Sequence, residues 1–191
     1  MAKKTKHTEK FEPFNIVVFG GDGDLALRKI YPALFHREMD GQFLTEYNII
    51  AITRKEDHES IFYADLTKFL LSSAEEGTLS AEIENFSKKI KLISTKEASV
   101  EGYKKLTEHI NEHPDYQNIF YFSTPSAAFG AIAQSLKASG LIHPNSKVVL
   151  EKPLGYSLES SKAINNEIMQ AFDEHQVYRI DHYLGKETVQ N

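Results

Sequence analysis

Six short runs rich in β-branched and aromatic residues punctuate the chain: Asn15–Phe19, Asn48–Thr53, Ile90–Ser94, Asn118–Ser123, Lys147–Leu150 and Gln176–Ile180. Several are almost continuously apolar, the pattern of parallel strands covered on both faces. Between them, apolar positions recur at helical spacing over Leu25–Glu38, Ser60–Leu71, Val100–Glu112, Ala127–Ser139 and Leu158–Phe172. The polar stretch Ser72–Lys89, broken by Gly77, predicts a helical excursion between the second and third strands. Strand and helix in alternation require right-handed crossovers. The expected fold is therefore α/β: a Rossmann-like, doubly wound, mostly parallel sheet with helices on both faces. Residues 1–13 are expected to form a disordered polar tail and residues 14–191 one domain. No apolar run approaches the ~20 residues that span a bilayer, so no membrane is expected as a partner.

The first run passes directly into Gly20-Gly21-Asp22-Gly23-Asp24-Leu25-Ala26. Gly21, Gly23 and Ala26 satisfy a G-x-G-x-x-A pattern between a strand and an amphipathic helix. A glycine permits the tight turn, a missing side chain lets backbone N–H groups approach a pyrophosphate, and a small residue lets the helix pack on the strand. The following helix turns its partial positive end toward the phosphates. The bland alternative is a structural turn. After the second run comes Thr53-Arg54-Lys55, where many NAD sites carry an acid for the ribose hydroxyls. A guanidinium there suits a 2′-phosphate, as in NADP; a solvated basic strand end is the other reading.

Two later segments concentrate polar chemistry at strand ends. The fifth run leads into Glu151-Lys152-Pro153-Leu154-Gly155, delivering an ammonium to the crevice where α/β sheets bind ligands. The sixth leads into Asp181-His182-Tyr183-Leu184-Gly185-Lys186-Glu187, in which His182, Tyr183 and Lys186 are donors suited to a phosphate monoester. Taken with Gly20–Ala26 and Arg28-Lys29-Ile30-Tyr31-Pro32, these segments resemble the signature segments of the glucose-6-phosphate dehydrogenase family, in the family's order, from about Phe14 to Asn191.

The resemblance implies specific roles. Gly20, Gly21, Asp22, Gly23, Asp24, Leu25 and Ala26 would cradle the pyrophosphate of NADP, and Arg54 would bind its 2′-phosphate. Lys29 would lie near the sugar and the nicotinamide, and Lys152 would touch both substrate and cofactor. His182, Tyr183 and Lys186 would hold the 6-phosphate of glucose 6-phosphate, and Asp181 would support a catalytic histidine. Tyr121–Pro125 would line the cofactor cleft. The implied reaction belongs to the pentose phosphate pathway: hydride transfer from the anomeric carbon to NADP+, yielding 6-phosphogluconolactone in a cytoplasmic homo-oligomer. The family's basic histidine lies in a downstream β+α domain, so the 191 residues are expected to be an N-terminal part, inactive alone. The alternatives are a non-catalytic nucleotide-binding module or half of a split protein. Asp22 departs from the small or neutral residue common in the family. A carboxylate there repels phosphate unless it turns outward or meets a cation such as Arg54 or Lys55, and it works against a preference for NADP over NAD. Leu27 stands where a basic residue is frequent.

Composition narrows the rest. Hydrophobic residues make up 41% of the chain and charged residues 26%, as in ordinary globular domains. A net charge of -5 argues against a nucleic-acid partner, and the absence of cysteine excludes disulfides, thiolate metal sites and cysteine nucleophiles. His109 and His113 have metal-ligand spacing but no third ligand; a polar helix end is expected there.

Overall fold

A computed structural model of the chain describes residues 12–151 and 157–180. Six strands, β1 (Phe14–Phe19), β2 (Tyr47–Thr53), β3 (Ile90–Ser94), β4 (Gln117–Phe122), β5 (Lys147–Glu151) and β6 (Val177–Ile180), form one sheet in the order β3-β2-β1-β4-β5-β6. Every pairing is parallel. Each strand lies within one residue of an apolar run in the sequence, because both faces of the sheet are buried and few polar positions interrupt the runs.

The alternation within those runs builds two cores. Along β1, Val17 and Phe19 face one side while Ile16 and Val18 face the other; β2 splits Ile50 and Ile52 from Ile49 and Ala51 in the same way. The first face is covered by α4 (Lys104–Ile110), α5 (Phe129–Ala138) and α6 (Leu158–Met169), through residues such as Leu106, Phe129 and Ile168. The second is covered by α1 (Tyr31–Met39), α2 (Glu59–Ser73) and α3 (Ser80–Lys88), through Phe35, Phe62 and Phe86. A fully buried side chain such as Ile50 or Phe120 contributes about 1.5–3 kcal/mol by leaving water. The helices of the second face cluster over β1–β3. Over β4–β6 that face is less covered: Tyr121 is only partly buried and Ile180 is exposed.

Polar groups also sit within the sheet. Asn15, Asn48 and Asn118 stand side by side on β1, β2 and β4. Asn48 donates to Asn15 at 3.0 Å, Asn15 to Asn118 at 2.9 Å, and Asn118 to the Leu141 carbonyl at 3.2 Å. Asn15 and Asn118 are buried, and these bonds offset the desolvation of their amides.

Two helical expectations are corrected. The first helix is not uniform: a π-helical turn at Ala26–Ile30 precedes α1, with the Tyr31 N–H reaching back to the Ala26 carbonyl. Pro32, which has no N–H to donate, follows that turn. The helix expected from Val100 begins only at Lys104, because Gly102 N–H bonds to the Ser99 hydroxyl at 3.0 Å and keeps the segment in a turn. The polar helix end expected at His109 and His113 is observed: His109 stands in the last turn of α4 and meets Glu112 at 3.1 Å, and His113 lies just beyond. The expected excursion between β2 and β3 is α3.

Candidate functional site

β1 and β4 are neighbours, yet the chain leaves β1 toward α1 on one face and β4 toward α5 on the other. Their carboxyl ends therefore open a crevice at the point where strand order reverses, the place where open α/β sheets take ligands. Gly20–Ala26 forms its floor. Gly20 has φ +74, and a Cβ there would collide with the Ser123 carbonyl. A Cβ on Gly21 would lie 2.8 Å from Ala51 Cα, Ala51 Cβ and the Tyr31 hydroxyl. Both positions admit only glycine because the turn is wedged between β2 and β4. Gly23 differs: a Cβ there would meet only the Gly20 carbonyl, at 3.0 Å. Its open side is the one a pyrophosphate could approach.

The turn is tied down on the protein side. Gly21 N–H donates to the Ile52 carbonyl and Gly23 N–H to the Gly20 carbonyl, both at 2.9 Å. The fully buried Tyr31 donates its hydroxyl to the Gly21 carbonyl at 2.7 Å. Burial raises the Tyr31 pKa well above its ordinary value, and the charge of Asp22 adds to the rise. Tyr31 therefore stays a neutral donor. Ala26 is buried under the turn, as a small residue at that position should be, and Leu27 packs into the same core, where a basic side chain would be buried.

Asp22 reaches from the turn to the end of β2. Its Oδ2 lies 2.7 Å from Lys55 Nζ and 3.7 Å from His58 Nε2. Burial would raise its pKa. The hydrogen bonds from Lys55 and Thr53, the Lys55 charge and its own backbone N–H outweigh that and hold the carboxyl below its usual range. Asp24 points outward to pair with Arg28. Arg54, directly after β2, is exposed. On the far side of the crevice, the Ser123 and Thr124 hydroxyl oxygens are buried and find no hydrogen-bond partner among the described residues. Two orphaned hydroxyls, a side-chain-free Gly23 and a helix start fit the polar middle of a dinucleotide.

Beside the turn, between α1 and the less covered part of the sheet, lies a cleft of about 610 Å³ lined by Lys29, Leu25, Leu34, Tyr121, Glu151 and Ile180. Tyr121 donates to Glu151, and burial together with that carboxylate raises the phenol's pKa strongly. Glu151 and Ile180 are paired across β5 and β6. Lys152 and Asp181 come next in sequence, but Lys152, Asp181, His182, Tyr183 and Lys186 all lie outside the described residues. Of the site residues expected from sequence, the structure thus brings together Gly20–Ala26 and Arg54 around the crevice and sets Lys29 in the adjoining cleft. The roles of Tyr31 and His58 were not evident beforehand. Tyr31 stands in the Arg28–Pro32 segment, and its spacing of ten residues from Gly21 was the available signal.

The profile of the family described as "Glucose-6-phosphate dehydrogenase, NAD binding domain" matches residues 17–191. The chain belongs to the glucose-6-phosphate dehydrogenase family. It is 42% identical over 183 residues to glucose-6-phosphate 1-dehydrogenase of Rhizobium meliloti, covering 94% of this chain and 37% of that protein. The enzyme of the same name from Gluconobacter oxydans is 39% identical over 193 residues, with 97% and 39% covered. A solved glucose-6-phosphate dehydrogenase in complex with its substrate glucose-6-phosphate superposes with a TM-score of 0.81 at 29% identity, over 94% of this chain and 38% of that one. The chain thus spans little more than a third of the length of the family members it matches. Among the described residues no helix is long and apolar enough to cross a membrane.

Proposed function

We propose that this chain holds the NADP+ of a glucose-6-phosphate dehydrogenase, and that residues 14–191 act as its dinucleotide-binding domain. The observation that carries the reading is the glycine turn at the β1/β4 switch point, packed too closely for side chains at Gly20 and Gly21 and met at Gly23 by one backbone carbonyl alone. The pyrophosphate rests on that turn at the start of the helix, and Arg54, exposed at the end of β2, takes the 2′-phosphate. Bound NADP+ supplies the hydride acceptor. Glucose 6-phosphate enters the cleft beside Lys29, with Lys152, His182, Tyr183 and Lys186 as its ligands and Asp181 supporting the base, as family membership suggests. The whole protein would release 6-phosphogluconolactone and work as a homo-oligomer in the cytoplasm.

The test has two arms. Calorimetric titration with NADP+ should show saturable binding, and Arg54→Ala should weaken NADP+ about tenfold or more while leaving NAD+ nearly unchanged. The protein that carries this chain should reduce NADP+ when given glucose 6-phosphate, followed by NADPH absorbance. Absence of any dinucleotide binding would sink the cofactor reading; binding without turnover on glucose 6-phosphate would sink the substrate reading alone.

A further inference from the structure

NAD sites of this architecture place an acid at the carboxyl end of the second strand, where it accepts from the adenosine ribose hydroxyls. Here that strand ends in Thr53 and continues Arg54-Lys55, and Glu56 is drawn away to Lys96 at 3.0 Å. A carboxylate nevertheless stands at the strand end, supplied from the glycine turn. Asp22 lies against Lys55 at 2.7 Å and His58 at 3.7 Å, with the Thr53 hydroxyl as a further donor. We propose that Asp22 is the residue that sets cofactor preference: its carboxylate accepts from the ribose of NAD+ and at the same time restrains binding of the NADP+ 2′-phosphate, so that the protein takes both dinucleotides. This rests on the dinucleotide-binding reading above.

The charges facing the ribose position explain how. Arg54 is exposed and free to swing toward a 2′-phosphate, and the Lys55 side chain keeps 59% of its exposure. Asp22, at 11%, is fixed, because Lys55, His58 and Thr53 approach it from the β2 side and the turn's backbone from the other. A 2′-phosphate carries up to about two negative charges. It must displace Lys55 from Asp22 or share it, and it sits beside a carboxylate that cannot withdraw into solvent. NAD+ has a hydroxyl there instead, which donates to the carboxylate and leaves the Asp22–Lys55 pair intact. The competing role for Asp22 is that of a brace that aims Lys55 at the phosphate, and it predicts the opposite response to removing the charge.

Calorimetric titrations of the unaltered protein, Asp22→Asn and Lys55→Met with NAD+ and with NADP+ separate the two. The unaltered protein should bind both dinucleotides with dissociation constants within about tenfold of each other. Asp22→Asn should weaken NAD+ by about tenfold and tighten NADP+, moving their ratio by more than tenfold. Lys55→Met, which removes the nearest cation from the carboxylate, should move the ratio the other way, toward NAD+. Thermal melts establish that each variant is folded; if Asp22→Asn is not, Asp22→Ser serves in its place with the same expected direction. A ratio unmoved by the Asp22 variant, or NADP+ weakened by it, overturns this proposal while leaving the dinucleotide site standing. Failure of the unaltered protein to bind either dinucleotide overturns both.

Discussion

Gly21→Ala tests the most tightly constrained point of the site. The new methyl would lie 2.8 Å from Ala51 Cα, Ala51 Cβ and the Tyr31 hydroxyl. Carbon atoms in contact settle at about 3.5–4.0 Å, so the turn and β2 must part by more than half an ångström. Overpacking of that kind costs about 1–3 kcal/mol. Parting also stretches the Tyr31–Gly21 hydrogen bond, now 2.7 Å, within a region where Tyr31 is fully buried. A buried group left unsatisfied costs about 1–3 kcal/mol more. The combined loss of about 2–6 kcal/mol is a large part of the stability of an ordinary domain, and corresponds to a melting point lower by roughly 5–20 °C. Thermal and urea melts would read it directly. Gly41→Ala is the control: Gly41 has φ +64 and open space around it, so only the backbone cost of about 1 kcal/mol applies. The two contributions at Gly21 can be separated with Tyr31→Phe, which alone removes the hydrogen bond. In the double variant one of the three close contacts disappears, so the combined cost should fall below the sum of the single costs. A Gly21→Ala melt no lower than that of Gly41→Ala, or strict additivity with Tyr31→Phe, would refute the wedged-turn argument.

Other consequences can be checked with similar means. Asn15→Ala strands the Asn48 amide and the Asn118 carbonyl in the sheet, and should cost about 2–4 kcal/mol by urea denaturation; a loss below about 1 kcal/mol would contradict the bonding described. Asp22 has a folded-state pKa below its unfolded value near 3.8, so its stabilising contribution is complete above that value and is lost as the pH falls through the folded one. Asp22→Asn should therefore flatten the acid limb of a stability–pH profile, and an unchanged limb counts against the pairing with Lys55. Tyr103 behaves in reverse: burial raises its pKa above 10.0, so its contribution is complete below that value and is lost as the pH rises through the folded-state pKa. Tyr103→Phe should leave neutral stability nearly unchanged and reduce the alkaline loss, measured as melting points at neutral and at strongly alkaline pH.

The strands were legible because a parallel sheet buried on both faces leaves its mark as apolar runs, and Ile16–Phe19 or Ile49–Ile52 could hardly be anything else. The glycine turn was legible for a related reason, since three glycines between a strand and a helix answer to few geometries. Other features depend on which residues meet. The π-helical turn before Pro32 is invisible to a 3.6-residue period, and the late start of α4 turns on one hydroxyl, that of Ser99, bonding Gly102. Asp22 could be seen to need a cation, but the choice of Lys55 over Arg54 comes from the path of the chain after β2. The asparagines did leave a trace, as Asn15, Asn48 and Asn118 are each the first residue of one of the strand runs.

That row of asparagines bears on alignment as well as on bonding. Hydrophobic alternation forbids a slip of one residue between neighbouring strands, because it would turn every side chain to the wrong face. It does not forbid a slip of two, which would return runs such as Ile-Val-Val-Phe and Ile-Ile-Ala-Ile to their own faces. Such a slip displaces one strand by about 6.6 Å along its neighbour. It would carry the glycine turn away from Ala51 and Ser123, and Asp22 away from Lys55. The amides of Asn15, Asn48 and Asn118 meet only when the three strands are level. A two-residue error takes the displaced amide away from these partners, at a cost where Asn15 and Asn118 are buried, so the amino end of the sheet acts as a ruler for the distances at its carboxyl end.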